Sequence, residues 1–186
     1  MEEYIVKATG IVRRIDDLGR VVVPKEIRRT LRIREGDPLE IFTDREGQII
    51  LKKYSPIGEL GLFAQQYADS LSQATGHIVA ISDKDQIIAT AGGSKKDLIE
   101  KPISPDLEKA IDARGLITAA SSDKNFISIS DGVQEYDYEV ICPIISQGDA
   151  IGAVIMLTQD SKAKFGETQE QLASTAALFL GVQMEQ

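Results

Sequence analysis

The charge of this chain changes sign at Lys53, and that change constrains its folding more than any other feature of the sequence. Residues 1–53 carry 12 Lys/Arg against 10 Asp/Glu, a net of +2, while residues 54–186 carry 9 against 19, a net of −10. Tyr54-Ser55-Pro56 at the junction reads as a hinge, because the residue before a proline is pushed out of the helical region. The basic residues are concentrated further, with nine between residues 7 and 34 against only Asp16, Asp17 and Glu26. A basic segment on an acidic body suits a protein that offers one end to a polyanion, since the body repels it.

The first half is also small. About 50 residues bury too little apolar surface to hold a core alone, and stable domains of that size ordinarily use disulfides, a metal or a partner chain. Cys142 and His77 are the single cysteine and histidine, both outside this segment, so neither staple is available to it. We therefore expect an obligate dimer in which hairpins of two chains complete one barrel, with the two-fold axis doubling the basic patch so that it straddles a duplex.

Local signals in that half predict the order β-β-α-β-β. Residues 5–15 mix β-branched and basic side chains, Asp16-Asp17-Leu18-Gly19 has turn chemistry, and Arg20-Val21-Val22-Val23 is a short strand stopped by Pro24. Pro24 suits the first position of a helix over 25–31, where Ile27 and Leu31 share a face and Lys25, Arg28 and Arg29 lie outside it. Residues 39–43 and 48–53 form a hairpin around Asp44-Arg45-Glu46-Gly47. Asp16 and Asp17 could be mistaken for a metal or acid–base pair; their place before Gly19 favours a turn.

The same scarcity of cysteine and histidine removes most catalytic and metal chemistry. We expect no catalytic residues, no metal and no cofactor. Cys142 lies in the apolar run Val140-Ile141-Cys142-Pro143-Ile144-Ile145 and reads as a buried, inert thiol. Gly92-Gly93-Ser94-Lys95-Lys96 lacks the spacing of a phosphate-binding loop. The longest apolar stretches fall far short of the roughly 20 residues that span a bilayer, and MEEYIVKATG lacks the basic and apolar regions of a signal peptide. No membrane partner and a cytoplasmic, nucleoid-associated location are the expectations.

Beyond the hinge we divide the chain into a linker helix over 56–76 and a domain over 77–186, after a first domain over 1–55. Ile57, Leu60, Ala64, Tyr67, Leu71 and Ala74 recur at spacings of three and four, the seam of a short coiled coil. That seam would pair with a second subunit or pack on the chain's own sheet. The final domain reads as strands over 77–82 and 86–91, a helix over 104–114 capped by Ser104, strands over 124–130, 139–146 and 150–158, and a helix over 167–184. The order α-β-β-α-β-β-β-α is that of an α+β domain with an antiparallel sheet and flanking helices.

The run from Lys7 to Leu31, with Leu18-Gly19-Arg20-Val21-Val22-Val23-Pro24 and Arg28-Arg29-Thr30-Leu31 in order and at fixed spacing, resembles the N-terminal domain of AbrB-type bacterial transition-state regulators. The likeness continues through Gly36-Asp37-Pro38 and residues 49–54, so it covers 5–55. More loosely, Val140-Ile141-Cys142-Pro143-Ile144 followed by Gly148 and residues 150–155 resembles the last strands of GAF domains. The whole chain is similar to two-domain sporulation regulators of spore-forming bacteria. The resemblance implies a dimeric swapped-hairpin barrel on double-stranded DNA, with Arg13, Arg20, Arg28 and Arg29 as contacts, Arg14 beside them and Lys7 on a phosphate.

Arginine forks reach phosphates or guanine edges and keep their charge at physiological pH. No helix here carries enough base-reading residues for a fixed code, so readout of shape on AT-rich promoter DNA is expected. The expected function is a transcriptional regulator, both activator and repressor, of sporulation genes. Its GAF-like domain would serve oligomerisation to a dimer or tetramer and sensing of a small-molecule effector. The alternative is a small-molecule sensor whose N-terminal barrel is mainly a dimerisation or protein-interaction module.

Overall fold

The computed structural model describes residues 10–59, 61–93, 98–132, 136–163 and 165–185. The chain divides into two compact units, Met1–Tyr54 and Ser55–Gln186.

In the first unit α1 spans Lys25–Thr30, β1 Leu39–Thr43 and β2 Ile49–Lys53. Pro24 stands one position earlier than expected, as the N-cap of α1. β1 and β2 pair antiparallel from Leu39↔Lys53 to Thr43↔Ile49. Asp44 closes their turn, its Oδ1 accepting the N–H groups of Glu46 and Gln48 at 2.9 and 2.8 Å, and Gly47 supplies the left-handed residue at φ 81°. Lys53 ties the hairpin to the chain after α1, with Nζ 3.0 Å from Asp37 Oδ2 and donating to the Arg32 carbonyl at 3.1 Å.

The two strands expected before α1 do not form among the described residues: 10–15 and 20–23 join no ladder. The turn between them does form, with the N–H of Asp16 donating to the Arg20 carbonyl and that of Gly19 to the Asp16 carbonyl, both at 3.0 Å. A strand exists only against a neighbour, and a single copy of this unit offers these segments none.

The second unit begins with α2 at Pro56–Glu59 and α3 at Gly61–Thr75, followed by β3 at Ile78–Asp83 and β4 at Ile87–Ala91. Next come α4 at Pro105–Ala113, β5 at Ile117–Ala120, β6 at Tyr138–Ser146, β7 at Asp149–Thr158 and α5 at Glu167–Gln183. The strands make one antiparallel sheet in the order β4-β3-β7-β6-β5. Alternation along them splits the core in two. Val79, Ile81, Val140, Ile144, Val154 and Met156 meet α3 and α5 on one face, through Ala64, Ala68, Leu71, Ala176 and Leu180. Ala80, Ile141, Ala153, Ile155 and Leu157 meet Leu107 and Ile111 of α4 on the other.

Helix α4 starts and stops as its sequence predicts. Ser104 Oγ accepts the N–H of Leu107 at 3.0 Å, Pro105 is the first helical residue, and Arg114 ends the helix in the left-handed region at φ 60°. Helix α5 lies so close to β6 that a Cβ on Gly181 would run into the Ile145 carbonyl.

One further expectation is corrected here. The strand predicted over 124–130 is irregular, and the fifth strand is Ile117–Ala120 instead. The backbone of the first stretch is committed elsewhere: the N–H of Ile127 goes to Glu139 Oε1 at 2.7 Å, and the Ile129 carbonyl accepts from Ser104 N at 3.0 Å. The apolar stripe of 56–76 packs within its own unit. Ile57, Ala64 and Leu71 are buried against the chain's own sheet, while Ala74 is exposed and Leu60 lies outside the described residues. Among the described residues no helix is long and apolar enough to cross a membrane.

Candidate nucleic-acid interface

The turn over 16–20 is organised by one side chain. Asp16 Oδ1 accepts the N–H groups of Leu18 and Arg20 at 3.0 and 2.8 Å, and Oδ2 accepts Arg20 Nε at 2.9 Å. Gly19 makes the reversal at φ 76°. The Arg20 N–H and guanidinium hold the Asp16 carboxyl below its ordinary range, so the brace stays ionised in mild acid. Asp16 is thus a turn and bracing residue, as its place in the sequence suggested. Arg20, bound through Nε alone, keeps its terminal nitrogens for an outside acceptor, and its side chain is 70% exposed.

The other candidate arginines are exposed. Arg28 and Arg29 sit on α1, and Arg13 and Arg14 on the segment leading to the turn. None of these four pairs with a carboxylate among the described residues. The structure joins Arg20 to its brace and holds Arg28 and Arg29 on one short helix; it joins neither Arg13 nor Arg14 to that helix. Lys7 lies outside the described residues.

Apolar side chains are as open as the basic ones. Among residues 10–54 only Pro24 is buried. Val12 is 85% exposed, Val22 72%, and Leu18, Ile15, Ile41 and Ile49 lie near them in value. A segment with this many open β-branched and leucine side chains has its core elsewhere than within one copy.

Sequence reasoning missed a residue in the second unit. Glu139 of β6 is fully buried; Oε1 takes the Ile127 N–H and Oε2 has no partner. Burial pushes its carboxyl up to about 7, opposed by that one hydrogen bond. The available signal was a lone glutamate opening the apolar run Val140–Ile145. Cys142 points to the opposite face, its Sγ 3.8 Å from Ser174 Oγ, and burial pushes its thiol up, away from the reactive thiolate.

Comparison with known proteins gives these features a context. A family model described as "Stage V sporulation protein T C-terminal, transcription factor" matches residues 59–185, and one described as "Antidote-toxin recognition MazE, bacterial antitoxin" matches residues 12–59. Over 182 residues the chain is 54% identical to stage V sporulation protein T of Bacillus subtilis (strain 168), across 97% of this chain and 100% of that protein. The chain belongs to the stage V sporulation protein T family.

That family is one of transcription factors, and this member is a transcriptional regulator rather than an enzyme. It is also 48% identical over 85 residues to the transition state regulatory protein AbrB of the same organism, across 45% of this chain and 88% of that protein. Among solved structures, the GAF domain of a phosphoenolpyruvate-protein phosphotransferase from Coxiella burnetii aligns over 67% of this chain and 82% of its own, with TM-score 0.54 and 19% identity. A methyl-accepting chemotaxis protein fragment aligns over 68% and 91%, with TM-score 0.57 and 18% identity. These two show the fold alone. The chain thus joins an AbrB-type N-terminal unit to a GAF-like α+β unit.

Proposed function

We propose that this protein regulates sporulation genes, as activator and repressor, by binding double-stranded promoter DNA through a dimer of its N-terminal unit. The braced, outward Arg20 carries the reading. An arginine tied at Nε and open at its terminal nitrogens is pre-organised for phosphate or a guanine edge, and Arg13, Arg14, Arg28 and Arg29 add unpaired charge in the same unit. Lys7 joins them as a phosphate contact. The exposed Val12, Ile15, Val22, Ile41 and Ile49 support assembly, because strands that find no neighbour in one copy find one in a second. The swapped-hairpin barrel is that assembly. We set the domain limits at 1–55, 56–76 and 77–186, the middle segment supplying α2 and α3.

The acidic GAF-like unit assembles dimers into tetramers and senses a small-molecule effector. Its charge, counted with its linker as −10, keeps that part of the molecule off the duplex. The protein works in the cytoplasm, on the nucleoid. A salt titration of binding to an AT-rich promoter fragment tests the assignment, with mass followed by light scattering. Affinity should fall steeply with salt, each neutralised phosphate adding about −0.9 to the log–log slope. Unchanged affinity in the double variant Arg20→Ala, Arg28→Ala would overturn the assignment of the DNA face.

A further inference from the structure

We infer that Glu139 anchors a site for a small, largely apolar molecule that presents an N–H group, such as a primary amine, an amidine or a nitrogen heterocycle. The inference rests on the sensing role proposed for the second unit and names the chemistry of its effector.

Glu139 lies on β6 between Ala119 of β5 and Leu157 of β7, which pair with it across the sheet. All three face the cluster capped by Leu107 and Ile111 of α4 and by Ile129. The carboxyl is therefore set in an apolar layer. One oxygen receives a single backbone N–H; the other has none, and no cation pairs with either among the described residues. Buried polar groups are nearly always satisfied, and an exception calls for a physical account. A glutamate kept for packing alone would be replaced at no loss by leucine.

A second buried carboxylate in the same unit gives the contrast. Asp83 is also buried, yet its Oδ1 accepts the N–H groups of Asp85 and Gln86, both at 2.7 Å, and its Oδ2 accepts the Ser55 hydroxyl at 2.9 Å. Both oxygens of Asp83 are used; one of Glu139 is open. A ligand donor would complete the second oxygen and hold the carboxyl ionised, and an apolar body must surround that donor, because Ala119, Leu157, Ile141 and Ile155 line the sheet around it. A metal ion is excluded by the donor set, since these neighbours bring no second ligand. An apolar wall with one oriented polar group is how small-molecule sites fix a ligand.

The test uses the full chain with 2-phenylethylamine, benzamidine and benzimidazole as N–H probes, and phenylacetate as a control of matching body without a donor. Binding is read by saturation-transfer NMR and by calorimetry. At least one N–H probe should bind and phenylacetate should not. Glu139→Leu should weaken that binding by about tenfold or more, and Glu139→Gln by less, since its amide keeps an oxygen acceptor. No binding by any probe at about 5 mM, the weak end of fragment affinities, would overturn the site. So would equal binding by wild type and both variants with intact far-UV circular dichroism. If Glu139→Leu fails to fold, Glu139→Gln alone decides. DNA affinity measured with the bound probe separates the two readings. A probe that binds through Glu139 and leaves DNA affinity unchanged confirms the site and overturns the sensing role.

Discussion

Arg20 and Asp16 meet across their own turn, Nε 2.9 Å from Oδ2, in a contact that orients a cation toward solvent instead of neutralising it inward. Replacing Arg20 with alanine should weaken promoter binding by about 1–3 kcal/mol and lower the salt slope by about one unit. Lysine at 20 should not restore it, because an ammonium lacks the fork that serves carboxylate and phosphate together. Asp16→Asn should weaken binding in the same direction by a smaller factor, although it removes a negative charge. Fluorescence anisotropy at several salt concentrations measures all three.

Val22 tests the assembly. It is 72% exposed in one copy, so Val22→Glu should be harmless to a monomer and ruinous to a barrel built from two chains. We expect DNA affinity to drop by more than about tenfold as bivalent contact is lost. Sedimentation velocity should show a smaller species, while the thermal transition of the second unit stays in place.

Glu139 makes stability depend on pH. Its folded carboxyl titrates near 7, above the ordinary 4.5. The native state therefore holds a proton that the unfolded chain has released, and the slope of stability against pH is negative between those values. Stability of the second unit should be fully present below about 4.5, fall by on the order of 3 kcal/mol as pH rises to about 7, and level off above. Glu139→Gln should flatten this profile. Urea unfolding at pH 5 and pH 8 gives the difference.

Gly181 sets how closely α5 approaches the sheet. A Cβ there meets the Ile145 carbonyl, so Gly181→Ala should destabilise the second unit by about 1–3 kcal/mol despite alanine's better helix propensity. The exposed Leu178 of the same helix should tolerate alanine within about 0.5 kcal/mol in a single copy. Differential scanning calorimetry compares the two.

Much of this was readable from local chemistry. Ser104 and Pro105 announce α4, Asp44 with Gly47 announces the β1–β2 turn, and Asp16 with Gly19 announces the turn that holds Arg20, because each satisfies its own backbone within a few residues. Residues 124–130 misled, since Phe126, Ile127 and Ile129 look like a strand while the N–H of Ile127 is taken by Glu139, twelve residues on. The spacing of Ile57, Ala64 and Leu71 specifies an apolar stripe and not what covers it.

The sequence by itself determined the division at the hinge, the sign of charge on each side, the caps and turns, and a first segment too small to hold its own core. These depend on neighbours along the chain or on sums over it. Only the tertiary structure decided that α3 packs on its own sheet, that Ile117–Ala120 is an edge strand, and that Glu139 is buried with one oxygen unpaired. Each of those depends on which distant backbone donor or apolar face arrives first, and a hydrogen bond or a buried stripe can be spent only once.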